Sequence, residues 1–136
     1  MRRHIDSSGT RAGVATGAAP RSTTPPRVLV IAGSDSGGGA GVQADVRACM
    51  ANHAFATTAI SALTAQNSHG VHAVHMAPAD IVEAQIAAVL DDIGTDASKT
   101  GMLPSGEIVR KVASVRSPFS DLHHAAFFLT SYVLLY

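Results

Sequence analysis

Short apolar runs alternate along the chain with segments whose apolar residues recur at helical spacing. Val28–Ala32 is a continuous apolar run, which predicts a strand that is covered on both faces. From Gly41 to about Asn52 the apolar positions lie three or four residues apart, which predicts a helix with one buried side. The glycine cluster Gly37–Gly41 joins these two segments as a loop.

The same alternation continues to about residue 115. The pattern predicts strands at Thr57–Leu63 and Ala97–Met102, a short extended segment at Val71–Met76, and helices that begin at Asp80 and span Gly106–Val115. Gln66–Gly70 is predicted to break the second strand. Because helices separate the strands, we expect right-handed β-α-β units and a parallel sheet.

The two longer predicted helices show further detail. Asp80 and, three residues later, Glu83 resemble a capping box, and an apolar stripe of Val82, Ile86, Val89 and Ile93 follows. In the first helix, Asp45 falls in the first turns, where a negative charge suits the helix dipole. Its core-facing positions are Val42, Val46 and Cys49.

Composition excludes several classes of function. The formal net charge is zero, which gives no reason to expect nucleic-acid binding. A single cysteine, Cys49, excludes an internal disulfide and a cysteine-rich zinc site. No apolar run is long enough to span a membrane as a helix.

Charge also divides the chain. Residues 1–27 contain five arginines and one acid, and they are rich in Ser, Thr, Ala and Gly. This composition is typical either of an organelle transit peptide or of a disordered tail. Pro25-Pro26 then marks the start of ordered structure, so we expect a terminal segment at 1–26, a folded domain at 27–115 and a divergent apolar tail at 116–136.

The glycine cluster fits neither of two common phosphate-binding loops. Gly33 and Gly38 have the first spacing of a P-loop, but Gly39-Ala40 follows, so the lysine is missing. Gly39, Gly41 and Ala44 match a dinucleotide fingerprint by count, yet residues 57–64 lack the acid that would hold a ribose. Alternatively, the glycine cluster binds no ligand and forms only a turn that packs a helix against its strand.

Three segments follow predicted strands: Gly33–Gly41, Thr64–Asn67 and Thr100–Leu103. Ligands of parallel α/β folds bind outside the carboxyl ends of the strands. We therefore expect these segments to meet at a small-molecule site.

Three blocks in this order resemble the hydroxymethylpyrimidine and phosphomethylpyrimidine kinases of thiamine biosynthesis: Ile31–Asp45, Thr64–Asn67 and Lys99–Leu103. The resemblance runs from Val28 to about Val115 and implies an α/β fold, the N-terminal part of a ribokinase-like parallel three-layer sandwich, truncated. Pyridoxal kinases share this fold, but the block Ala-Gly-Ser-Asp-Ser-Gly-Gly-Gly-Ala-Gly favours the pyrimidine kinases. The segment Thr-Gly-Met-Leu-Pro-Ser resembles the plant members of the family. Together with the N-terminal composition, this resemblance implies location in a chloroplast, with a mitochondrion or the cytoplasm as the alternatives.

The resemblance also implies a pocket for an aminopyrimidine. A glutamine at the position of Gln66 hydrogen-bonds the ring in this family, and an amide offers both a donor and an acceptor. Met102 aligns with an apolar residue that lines the ring, and thioethers suit aromatic contacts. Thr64 falls where many members have an apolar residue. The pocket wall and loop align with Gly33, Ala40 and Asp45.

The implied reaction is phosphorylation of hydroxymethylpyrimidine and of its monophosphate with ATP and Mg²⁺. After Val115 the match fails, and the family's nucleotide segment, anion-binding donors and catalytic cysteine have no counterpart in this sequence. We therefore expect family membership without catalysis by this chain; a non-catalytic pyrimidine-binding or partner-binding fragment and an unstable truncated product are the alternatives. Full-length relatives are often homodimers.

Cysteine and histidine positions suggest no further chemistry. Cys49 lies on the apolar side of a helix and is interpreted as a small core residue rather than a nucleophile. His72 and His75 would point to opposite faces of a strand, so with His69 they do not suggest a metal site. The neighbours His123-His124 are an equally weak signal.

Overall fold

The computed structural model describes residues 24–115, which form a four-stranded sheet of order β3-β2-β1-β4 with helices on both faces. Strand β1 lies at the centre and pairs in parallel with β2 and with β4. The elements in chain order are β1 (Arg27–Asp35), α1 (Gly41–Ala51), β2 (Phe55–Asn67), β3 (Gly70–Met76), α2 (Ala79–Asp92), β4 (Ala97–Thr100) and α3 (Gly106–Ser114).

Alternate residues of β1 contribute to two cores. Leu29 and Ile31 pack with α2 and α3, where Val82, Ile86 and Ile108 are buried. Val30 and Ala32 pack on the other face against Val42 of α1, with Val28, Cys49 and Ile60 at the margin. The central strand is therefore covered on both faces, as its apolar run predicts, and the three-layer α/β arrangement is confirmed.

Strand β3 corrects the prediction of a purely parallel sheet, because it pairs with β2 in the antiparallel direction. Only residues 68–69 connect the two strands. A parallel return needs a crossover of about a dozen residues or more, so this short link permits only a hairpin. The predicted break at Gln66–Gly70 is wrong for Gln66 and Asn67, which extend β2.

The start of α2 also differs from the prediction. The N-cap is Pro78, and no side chain caps the helix, so Asp80 and Glu83 form no capping box. Asp80 lies inside the first turn, where its Oδ1 accepts the Ile81 N–H at 2.9 Å. Glu83 instead binds Lys111 of α3 at 2.6 Å. The helix begins one residue earlier, at Ala79, directly after Pro78.

Two further details of the helices follow from the structure. Ile93 is the C-cap of α2 and is 37% exposed, so the buried part of the apolar stripe ends one turn earlier. Asp45 is the fifth residue of α1, so it lies within the first two turns, and its carboxylate pairs with Lys99 of β4.

Some predictions fall outside the described residues. These are the structure of most of the N-terminal segment, of the apolar tail 116–136 and of His123-His124. The domain limits at 26 and 115 stay predictions. No helix between residues 24 and 115 is long and apolar enough to cross a membrane.

Candidate functional site

A cavity of about 480 Å³ lies at the carboxyl ends of β1, β2 and β4, beside the start of α1. Val71 and Val74 of β3 form one of its walls. The volume lies within the range of about 300–1,000 Å³ that is usual for small-molecule sites. Its position is the one expected for a ligand site in a largely parallel sheet.

All of the predicted pocket residues line this one cavity: Gly33, Ala40, Asp45, Thr64, Gln66 and Met102. They come from three stretches of chain that the strand order brings side by side. The expected meeting of these stretches is therefore present in the structure. That the residues bind a substrate stays a prediction.

The glycine loop folds around a carboxylate of its own. Asp35 is buried, and its Oδ1 and Oδ2 accept the N–H groups of Gly37 and Ala40, each at 2.8 Å. Its carbonyl accepts the N–H of Gly38 at 2.9 Å. These three donors are thus already bound, next to a negative charge. This part of the loop does not fit a phosphate group.

Gly41 lets α1 begin directly above β1. Its φ is +59°, and a β-carbon there would lie 2.4 Å from the carbonyl oxygen of Gly33. Only glycine combines this φ with such a close approach at low cost. The loop glycine therefore brings the first turn of α1 against the cavity wall.

Gln66 is held through its main chain by Ser36. The Ser36 hydroxyl accepts the Gln66 N–H at 2.7 Å and donates to the Gln66 carbonyl at 2.6 Å. Thr64 touches the side chain of the same residue, with 3.2 Å between its Oγ1 and Gln66 Oε1. Thr64 Oγ1 also lies 2.7 Å from the carbonyl of Ser34. Ser36 therefore holds the main chain of Gln66, and Thr64 lies beside its side-chain amide.

Met102 is held opposite β1. Its carbonyl accepts a hydrogen bond of 2.7 Å from the hydroxyl of Ser61, which is fully buried in β2. Its terminal methyl lies against Gly33. An apolar, polarisable thioether thus lines the cavity at a fixed place.

A half-buried ion pair completes the site. Lys99 Nζ of β4 lies 2.6 Å from Asp45 Oδ2 of α1, and both side chains line the cavity. Burial raises the pKa of the neighbouring Cys49 thiol; Asp45 raises it further and Lys99 opposes this. A raised pKa disfavours the reactive thiolate. Cys49 packs against the core on the α1 side.

The described residues offer no ligand set for a metal ion. Between residues 24 and 115, no three side chains of His, Cys, Asp or Glu come together to hold one. His72 Nε2 lies 3.1 Å from Asn67 Oδ1, and the same oxygen accepts the N–H of His69 at 2.9 Å. Residues 24–115 therefore contain no such three-residue metal cage, and we derive no step through a Mg²⁺ ion.

Sequence reasoning missed three residues that build the site. The role of Asp35 could have been recognised from the local sequence, because an aspartate before serine and glycines is typical of a turn that the aspartate side chain closes. Lys99 was recognised only as part of a matching block, since its partner Asp45 is 54 positions away. The bridge between Ser36 and Gln66 spans 30 positions and has no pattern in the sequence.

Comparison with known proteins agrees with this geometry. A family model described as phosphomethylpyrimidine kinase matches residues 35–122, which is more than half of the chain. The chain belongs to the phosphomethylpyrimidine kinase family. Within the described range, the match covers the glycine loop, Gln66 and Met102.

Relatives with curated names share much of the sequence. A hydroxymethylpyrimidine/phosphomethylpyrimidine kinase of Mycobacterium bovis is 55% identical over 96 residues, which are 71% of this chain and 35% of the relative. A probable thiamine biosynthetic bifunctional enzyme of rice, named as chloroplastic, is 48% identical over 96 residues, which are 71% of this chain and 18% of that protein. The chain thus spans about a third of the bacterial relative.

A solved structure confirms the ribokinase-like fold. The crystal structure of phosphomethylpyrimidine kinase from Clostridium difficile 630 superposes with a TM-score of 0.62 at 45% sequence identity. The match covers 64% of this chain and 38% of that protein. The described sheet and helices therefore correspond to one part of a phosphomethylpyrimidine kinase.

Proposed function

We propose that residues 24–115 bind the aminopyrimidine substrate of a hydroxymethylpyrimidine/phosphomethylpyrimidine kinase of thiamine biosynthesis. The observation that carries the proposal is one cavity in which the Gln66 amide and the Met102 thioether both line a space of ring-binding size. The family match and the relatives' names support the choice of pyrimidine as the ligand.

The chemistry of the lining suits a flat, polar heterocycle. The amide of Gln66 offers a donor and an acceptor to a ring that carries both. Met102 supplies an adaptable apolar contact for the ring face or edge. Gly33 and Ala40 also line the cavity, and because both residues are small they leave space for the ring. The cavity thus combines orientation by hydrogen bonds with apolar burial of the ring.

We assign recognition, and not phosphoryl transfer, to the described residues. Transfer from ATP requires groups that position the nucleotide and neutralise its phosphate charge. The loop donors of Gly37, Gly38 and Ala40 are bound to Asp35, so these three N–H groups are not available to a phosphate. We therefore expect the 136-residue chain to bind the pyrimidine without phosphorylating it.

Calorimetry tests the binding part of the proposal. Hydroxymethylpyrimidine is titrated into the wild-type chain and into Gln66→Glu, which keeps the side-chain shape but removes the amide donor. Loss of such a hydrogen bond should weaken binding by about tenfold or more. Met102→Ala should also weaken binding, whereas Met50→Ala, at an exposed methionine near the end of α1, should not. No heat with the wild-type chain would refute the proposal.

A coupled kinase assay tests the restriction to recognition. The purified chain is incubated with hydroxymethylpyrimidine and MgATP, and product is measured against a reaction without protein. We expect no turnover above that background. Turnover that is abolished by Gln66→Glu would contradict the restriction while supporting the choice of ligand.

We further propose that residues 1–26 direct the chain to a chloroplast. Residues 1–26 contain four arginines and only one acid, and the rice relative is named as chloroplastic. A fluorescent protein fused after residues 1–26 should enter plastids in plant cells. Mitochondrial or cytoplasmic fluorescence would assign one of the two alternatives instead.

A further inference from the structure

The hydroxyl of Ser36 takes the place of a neighbouring strand beside Gln66. It is both acceptor and donor for the same residue, at 2.7 Å from the Gln66 nitrogen and 2.6 Å from the Gln66 oxygen. Adjacent strands satisfy a residue's main chain in the same way, with one donor and one acceptor. A single side chain therefore extends the β1–β2 pairing beyond its last main-chain partner.

This bridge lies where regular pairing ends. The register of β1 with β2 ends at Asp35 and Thr64, two residues before Gln66. On the other side, the pairing of β2 with β3 is irregular between Ala65 and Gln66. Such bulges change the direction in which a side chain points. The direction of the Gln66 side chain thus depends on contacts other than the regular strand ladder.

The glycine loop transmits this contact to the rest of the site. A β-carbon on Gly37 would lie 3.2 Å from the Gln66 carbonyl oxygen and 3.3 Å from the Asn67 α-carbon, so the loop packs directly on β2. Asp35 holds the same loop through Gly37 and Ala40. Ser36 is therefore carried by a loop whose shape is set by a buried carboxylate.

We propose that Ser36 is a positioning residue for pyrimidine recognition, because its hydroxyl clamps the main chain of Gln66 and thereby aims the amide at the amino-bearing edge of the ring. The inference rests on the proposed function. Ser36 acts through Gln66 alone; it is not among the residues that line the cavity. Its loss should reduce discrimination for the amino group more than it reduces affinity for the ring.

The clamp itself is tested without ligand. Amide hydrogen exchange of the 136-residue chain is followed by NMR in wild type, Ser36→Ala and Ser36→Thr. Ser36→Ala should speed exchange of the Gln66 N–H by about tenfold, since its acceptor is gone, whereas Ser36→Thr keeps the hydroxyl and the protection. Ser68→Ala, in the nearby turn, is the matched control. Unchanged Gln66 exchange in Ser36→Ala would overturn the inference.

The role in recognition is tested by a double-mutant cycle. Affinities for hydroxymethylpyrimidine and for its analogue without the amino group are measured in wild type, Ser36→Ala, Gln66→Ala and the double variant. We expect Ser36→Ala to lower the preference for the amino compound by about three- to tenfold, and to have no further effect once Gln66 is absent.

The outcomes separate this inference from the proposed function. Binding by the wild-type chain, with an equal loss for both compounds in Ser36→Ala, would overturn the positioning role and leave the function standing. An undiminished effect of Ser36→Ala in the Gln66→Ala background would do the same. Absence of binding by the wild-type chain would overturn both. Should Ser36→Ala lower stability, Ser36→Thr, which keeps the hydroxyl, provides the second comparison: it should retain the wild-type preference for the amino compound, and a variant that folds and keeps the clamp but loses that preference would overturn the inference.

Discussion

The terminal methyl of Met102 lies so close to Gly33 that a β-carbon on Gly33 would be only 2.6 Å from Met102 Cε. This contact joins the carboxyl end of β1 to the segment that follows β4. Ser61 fixes the other end of the contact through the Met102 carbonyl, at 2.7 Å. The width of the candidate pyrimidine cavity therefore depends on the absence of a side chain at residue 33.

Gly33→Ala should displace Met102 and narrow the cavity. Because Met102 Cε is the free end of a flexible side chain, it can move aside at little cost in stability, and the main expected effect is a loss of hydroxymethylpyrimidine affinity. Calorimetry measures this loss, and urea unfolding checks that the variant stays folded. Gly39→Ala is the control, because a β-carbon there meets only an ordinary contact, 3.6 Å from Asp35 Oδ2. Adding Met102→Leu, which removes Cε, should relieve the contact and restore part of the affinity; a fully binding Gly33→Ala would contradict this account.

Asp35→Ala should loosen the glycine loop. The substitution removes the acceptors of the Gly37 and Ala40 N–H groups, and we expect a cost of about 1–3 kcal/mol in the free energy of unfolding. Asp35→Asn, which retains one carbonyl acceptor, should lie between wild type and alanine. Asp91→Ala, at an exposed position of α2, should change stability by less than about 0.5 kcal/mol. Equal effects at both aspartates would argue against the proposed role of Asp35 in holding the glycine loop.

Acid should weaken the link between Arg27 and Asp96. The hydrogen bonds from the Arg27 side chain and main chain lower the pKa of Asp96 to about 2. A carboxyl whose pKa is lower in the folded state stabilises the fold above its unfolded pKa of about 4, and this contribution is lost as the pH falls toward 2. Melting temperatures between pH 7 and pH 2 should therefore fall less steeply for Asp96→Asn, whose stability is already lower at pH 7. A wild-type slope in this variant would refute the assignment; Asp92→Asn is the control.

The side chain of Gln85 should contribute more to stability than that of a half-buried helix residue usually does. Its Oε1 accepts the Ile60 N–H at 2.9 Å, and its Nε2 donates to the Ile60 carbonyl at 3.2 Å, so an amide of α2 completes the edge of β2. Strand β3 no longer covers this part of β2, because its pairing ends at Ala62. Gln85→Ala should cost about 1–3 kcal/mol. Gln85→Glu, which cannot donate, should recover only part of it; an unaffected unfolding midpoint in Gln85→Ala would exclude this role.

The fold was predictable where hydrophobic spacing carried the information. The apolar run of β1 and the stripe of α2 identify buried elements because burial selects their period. The antiparallel direction of β3 was not predicted, although the short link after Asn67 permits only a hairpin. The α2 cap was misjudged because Glu83 binds Lys111 of α3 instead of the helix start, a contact that the spacing of Asp80 and Glu83 does not reveal.

The position of the site was predictable from the sequence, but the hydrogen bonds that hold its residues were not. The rule for carboxyl ends of parallel strands brings Gly33, Gln66 and Met102 together before any coordinates are seen. The contacts that hold these residues, such as the bridge from Ser36 to Gln66, depend on the loop path and on register. Neither leaves a periodic signal in the sequence, so the supporting side chains appear only in three dimensions.

The central claim is that the pyrimidine ring lies between Gln66 and Met102. NMR of the chain with a labelled Met102 methyl and labelled glutamine amides tests it most directly. With saturating hydroxymethylpyrimidine, the account predicts nuclear Overhauser effects from the ring protons to the Met102 methyl, together with a shift of the Gln66 side-chain amide. Ligand that binds without either signal, or that perturbs only residues outside the cavity, would contradict it.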